Sequence, residues 1–111
     1  MISQLLKEAK SLIEDPQHWN EEYFARNSKG QDCRSRDPEA VAWCAWGAIN
    51  KVTDSHNNDA AANFLYRSAF DLFKKKEIWE VNDCIGHTAV MQMYDRAIEL
   101  AEQDEANAKS S

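Results

Sequence analysis

The sequence predicts a mainly α fold: a compact four-helix bundle-like single domain, with helices at about 2–14, 38–52, 60–76 and 86–105. A long irregular or short β-hairpin segment fills 17–36. Three observations predict this. Apolar residues recur at helical spacing in four stretches. Only 3 glycines and 2 prolines punctuate the 111 residues, too few for the frequent turns of an all-β chain. Asp37-Pro38-Glu39 has the form of a helix start, because the aspartate oxygen can accept an unpaired backbone N–H and proline lacks one to satisfy.

In the first helix Ile2, Leu5, Leu6, Ala9, Leu12 and Ile13 share one face, and Asp15-Pro16 ends it because the residue before proline leaves the α region. Residues 17–36 are the least regular. Gly30 can take a positive φ in a hairpin turn, and a helical turn through Asn20–Arg26 followed by a loop is the alternative. Over 38–52, Val41, Ala45, Ala48 and Val52 fall on one line with Cys44 and Ile49 beside it, leaving a narrow polar arc of Glu39, Asn50 and Lys51. A helix apolar on most of its circumference is usually enclosed by others, so this one is expected to be the hub of the bundle. TDSHNND is a loop. The third helix then buries Ala62, Leu65, Tyr66, Ala69, Leu72 and Phe73, with Lys74, Lys75 and Lys76 complementing the dipole in its last turn. In the last helix Val90, Met93, Tyr94, Ala97, Ile98 and Ala101 line one face. The domain is expected to span 1–105, with 106–111 a frayed tail.

A net charge of −6 disfavours nucleic acid as a partner, since binding it needs a positive field. No apolar run is long enough to cross a membrane, and no leader-like segment follows Met1. Cys33, Cys44 and Cys84 are odd in number and lack CxxC spacing, so the chain reads as cytoplasmic with reduced thiols.

The order Trp19, Ala25-Arg26, Gly30, Ala40-x-x-Trp43-Cys44-x-x-Gly47-Ala48-Ile49, Asn82-Asp83, Thr88 and Asp95-x-x-Ile98 resembles a family of short uncharacterised phage and bacterial proteins, grouped as a domain of unknown function. The resemblance spans residues 5–101. It implies a small helical domain, phage-encoded and then acting in the host cytoplasm, and it implies no reaction. His87 stands where the pattern leads one to expect arginine, which weakens an anion site in that loop.

Five groups of residues invite a functional reading. Cys44 with His87 and Asp83 or Asn82 has the composition of a thiol hydrolase, but a cysteine on the apolar line of a buried helix is more often a small core residue. Cys84-x-x-His87 is half of a zinc pattern, with Asp83, Cys33, His18 or His56 available to complete it, where two ligand pairs are usual. Arg26, Arg34 and Arg36, with Lys29, precede the central helix and could make an anion or nucleotide site at its N-terminus; salt-bridged loop arginines are the commoner case. Trp43, Trp46 and Gly47, with Phe64 on the polar side of the third helix, form a partner-binding face if exposed. Asp37, Asn82 and Asp83 are caps or clasps, and Asp83 is placed to pair with Arg26. The expectation is therefore a non-enzymatic acidic protein with no cofactor and no bound metal. It acts by contact with a protein partner, a second copy of the chain being one such partner, as a modulator of a host or phage complex. A small anion- or nucleotide-binding module is the alternative, and a Cys/His hydrolase or metal protein ranks below both.

Overall fold

The computed structural model describes residues 1–54 and 56–110. Its order is α1 (Ile2–Ile13), a 3-10 turn (Pro16–His18), β1 (Ala25–Asn27), β2 (Asp32–Cys33), β3 (Ala40–Trp43), α2 (Ala45–Val52), α3 (Asn58–Phe73), a π-helical segment (Glu80–Ile85) and α4 (His87–Ser110). The fold is mainly α, with four helices and one small antiparallel sheet of order β2-β1-β3.

The three amphipathic stretches become α1, α3 and α4, which pack on one another and on α2. Leu6, Ile13, Ile49, Leu65, Met93 and Tyr94 are fully buried at their junction. Fully burying an aliphatic side chain of this size is worth about 1.5–3 kcal/mol. Lys10 pairs with Asp95 at 2.7 Å across α1 and α4, and Glu105 accepts the Ser3 amide at 3.1 Å. With no glycine or proline to stop it, α4 continues to Ser110, past the point where a frayed tail was expected. Ser111, and Ser55 within the predicted TDSHNND loop, lie outside the described residues.

The hairpin alternative holds for 17–36. Ala25 pairs with Cys33 and Arg26 with Asp32, while Gly30 turns the chain at φ +80° and Asn27 Oδ1 accepts from Lys29 and Gln31. No helical turn forms through Asn20–Arg26.

The predicted helix over 38–52 needs correction, because its first part is strand. Ala40–Trp43 pairs antiparallel with β1, Ala25 opposite Trp43 and Arg26 opposite Ala42. Asp37 caps no helix. Its Oδ1 accepts the Glu39 amide at 2.9 Å and its carbonyl accepts the Ala40 amide at 3.0 Å, which makes Asp37–Ala40 a β-turn. Aspartate at the first turn position and proline at the second suit a turn as well as a helix start. The apolar line Val41/Ala45/Ala48/Val52 is therefore split between a strand and a helix. The N-cap of α2 is Cys44, whose Sγ accepts the Gly47 amide at 3.2 Å.

The third helix also ends earlier than expected. Lys74 is its left-handed C-terminal residue at φ +57°, its N–H bonded to the Phe70 carbonyl, while the Lys75 amide reaches Ala69. This closure satisfies the last carbonyls and leaves the lysine run outside the helix. Phe70 and Leu72 stay exposed, and Ser68 takes a buried place by bonding the Phe64 carbonyl.

Candidate functional site

The site is organised by Asn82. A π-helical turn between α3 and α4 carries this residue into the interior, where it is 1% exposed. Its Oδ1 accepts from the Trp19 indole at 2.7 Å and from the Ala45 amide, at the start of α2, at 2.9 Å. Its Nδ2 donates to the Asn20 carbonyl at 3.0 Å and to Asp83 Oδ1 at 2.8 Å. A primary amide can use two donors and two acceptor positions, so Asn82 is saturated. It ties the segment before the hairpin, the start of α2 and the π-helical turn into one unit.

Asp83 extends the clamp. Its Oδ1 also accepts the Glu22 amide at 3.0 Å. Glu22 has φ +73°, a conformation that costs a non-glycine residue about 1–2 kcal/mol, and the Tyr23 amide bonds back to the Glu21 carbonyl at 2.9 Å. The tight turn aims Tyr23 and Phe24 outward, and the Phe24 carbonyl accepts the Cys44 amide at 3.1 Å. Gly47 lies directly beneath, where a Cβ would come within 2.0 Å of the Phe24 oxygen. The backbone of this chain therefore packs directly on Gly47.

These elements frame a cleft of about 500 Å³. Its aromatic walls are Tyr23, Phe24, Trp46, Tyr66 and Trp79. Glu22, Glu77 and Asp83 supply carboxylates, Cys44, Asn82 and Ile78 complete the lining, and among the described residues no lysine, arginine or histidine takes part. Trp46 and Tyr66 stack at a tilt with centroids 5.8 Å apart. Tyr23, Phe24 and Trp79 are 55%, 53% and 57% exposed, large fractions for such side chains. Burial pushes the Tyr66 phenol above its ordinary range, and the Glu77 and Asp59 carboxylates push it further. The charged side chains of the lining are all acidic.

Cys44 opens on this cleft, yet it is a poor nucleophile. Burial raises its thiol above the ordinary range; the Gly47 and Trp46 amides pull it down, and Asp83 pushes it up again. The net shift is upward, so the thiol stays protonated at neutral pH. His87 is committed elsewhere: its Nε2 donates to the Ile13 carbonyl at 2.8 Å and its ring stands edge-on to Trp19. We expect iodoacetamide at pH 7.5 to alkylate exposed Cys84 while leaving Cys44 intact in the folded chain, as read by peptide mass mapping. Rapid modification of Cys44 would contradict this assignment. Burial likewise holds the Tyr94 phenol well above its range, and it donates to the Ala45 carbonyl at 2.6 Å.

The structure redistributes the other candidates. Trp43, 7% exposed with its indole bonded to the Ser35 carbonyl at 2.8 Å, and buried Gly47 are covered by their own chain and cannot meet a partner. Trp46 and Phe64 are half-buried; Trp46 lines the cleft, and Phe64 lies under the Arg67 guanidinium. The three arginines do not converge on a helix end, because that helix starts at Ala45. Arg26 donates to the Gln17 carbonyl, whereas Arg34 and Arg36 line a shallow groove that also holds Asp54 and Asp59. The expected Asp83–Arg26 pair is replaced by the Asp83–Glu22 contact. His18 donates to the Val41 carbonyl, and among the described residues no three His, Cys, Asp or Glu side chains group as metal ligands.

Phe24, Tyr66, Trp79, Glu22 and Glu77 had no place among the sequence candidates. One signal could have found several of them: the irregular segments Glu21-Glu22-Tyr23-Phe24 and Glu77-Ile78-Trp79-Glu80 each set aromatic residues among glutamates.

A family model described as "Family of unknown function (DUF6197)" matches residues 1–100. The chain belongs to that family. No curated protein and no solved structure matches the chain. Membership in DUF6197 is consistent with an uncharacterised domain family, and it assigns no reaction to the cleft. No described helix of this DUF6197 chain is long and apolar enough to cross a membrane.

Proposed function

We propose that the chain is a non-enzymatic, acidic cytoplasmic protein that acts by protein–protein contact, seating a segment of its partner in the aromatic cleft. The observation that carries this reading is the rim: Tyr23, Phe24 and Trp79, each more than half exposed, stand around a cleft of about 500 Å³. Large aromatic side chains dominate interface energies, and exposing several together costs solubility unless something covers them. The clamp adds support. Asn82, Asp83 and Gly47 hold the rim on a rigid base at the expense of a strained Glu22, an investment that favours preorganised binding. The protonated Cys44 and the committed His87 speak against a hydrolase.

Reduced thiols at Cys33, Cys44 and Cys84 are consistent with the cytoplasm. The role as modulator of a phage or host complex rests on the resemblance in motif order. A second copy of the chain is the less favoured partner, because two bodies of charge −6 repel.

Selection of a displayed random-peptide library on the intact chain tests the reading. We expect enriched peptides that bind the native protein and lose at least about tenfold in affinity to Trp79→Ala, a truncation at an exposed side chain that leaves the melting temperature within a few degrees. Enriched peptides indifferent to Trp79→Ala would contradict it.

A further inference from the structure

Resting on that reading, we infer that the segment seated in the cleft is basic, its arginine or lysine side chain held between the rings of Trp46, Tyr66 and Trp79 and the carboxylates of Glu22, Glu77 and Asp83. The lining carries the argument. Five aromatic rings and three carboxylates meet in one cleft, and among the described residues no cationic side chain lines it. Among the described residues none of the three carboxylates is in an ion pair. Aromatic faces attract cations through the ring quadrupole, and a partly desolvated carboxylate nearby strengthens the same preference. An anionic or purely aliphatic segment would bury those charges without a partner, which disfavours it.

Geometry separates the carboxylates by role. Asp83 is half-buried and spends Oδ1 on Asn82 and Glu22, so it fixes the floor and contributes charge. Glu22 and Glu77 are exposed, and their hydrogen bonds within the chain are made by backbone atoms, which leaves both side chains to meet the incoming cation. The net charge of −6 would draw a basic segment toward the chain from a distance. A small organic cation alone would fill only part of about 500 Å³ and leave the protruding rings of Tyr23 and Phe24 uncovered, whereas a peptide backbone carrying the cation covers them.

The probes are the peptides enriched from the random library, resynthesised with each arginine replaced by citrulline and each lysine by acetyl-lysine. Each is titrated against the native chain, Trp79→Ala and the double variant Glu22→Gln/Glu77→Gln. The double variant alters exposed side chains and should melt like the native protein. The inference predicts enriched peptides with a basic residue, a loss of about tenfold or more on neutralising that residue, and a comparable loss in the double variant. The two losses should not add, and raising the salt should shrink both. Peptides that bind and lose affinity to Trp79→Ala but tolerate neutralisation would overturn the basic partner while leaving the docking cleft standing. Enriched acidic peptides would overturn it as well. If no enriched peptide responds to Trp79→Ala, the docking reading and this inference fail together.

Discussion

Asn82→Ala lowers the unfolding free energy by about 3 kcal/mol and the melting temperature by roughly 10–15 °C, read by circular dichroism. Truncation strands the Trp19 indole N–H, the Ala45 amide and the Asn20 carbonyl, around a position only 1% exposed. Each buried polar group left without a partner costs about 1–3 kcal/mol, and because the three share one site their costs do not simply add. Asn82→Asp separates hydrogen bonding from packing. It keeps the shape and the two acceptor positions, but it sets a carboxylate oxygen against the Asn20 carbonyl and Asp83 Oδ1, so it should destabilise nearly as much. A shift below about 3 °C for either variant would mean that Asn82 is not the clamp.

Gly47→Ala is the second large effect, and here the sign decides. Helix propensity alone favours alanine over glycine by about 1 kcal/mol inside a helix. The structure demands the reverse: the new Cβ would stand 2.0 Å from the Phe24 oxygen and 2.8 Å from its carbon, contacts that backbone cannot absorb in place. Either α2 moves or the Phe24 segment lifts and breaks its bond to the Cys44 amide. We expect a loss of about 3 kcal/mol, at the upper end of overpacking, together with loss of peptide binding as Tyr23 and Phe24 leave the rim. A melting temperature unchanged or raised would show that propensity wins and that the close approach is not part of the fold.

What could be read from the sequence followed the range of the interactions involved. The amphipathic faces of α1, α3 and α4 are local, so Leu6, Leu65 and Met93 declare themselves by spacing. The strand Ala40–Trp43 does not, because Asp-Pro-Glu serves a turn as well as a helix start. The choice was made by β1, reached only through the hairpin. Cys44 looked like a residue on an apolar helix face and is the cap where that helix begins. The site was harder still to foresee. Asn82 meets partners 62, 63 and 37 positions away, and no short-range pattern encodes such contacts. Tyr66 was legible only as part of the buried face of the third helix; it is half-buried, and the cleft it lines exists only where the Tyr23 turn, the start of α2, α3 and the π-helical turn come together.

The chain's 4 tryptophans allow the central claim to be tested in one spectrum. Trp19 and Trp43 spend their indole N–H groups on Asn82 and the Ser35 carbonyl, whereas Trp46 and Trp79 line the cleft. An enriched peptide is added to 15N-labelled protein and the indole region is followed by 1H–15N correlation. A partner-binding cleft predicts that the Trp46 and Trp79 signals move with the peptide while those of Trp19 and Trp43 hold their positions. Movement of Trp19 and Trp43 with Trp46 and Trp79 fixed would contradict it.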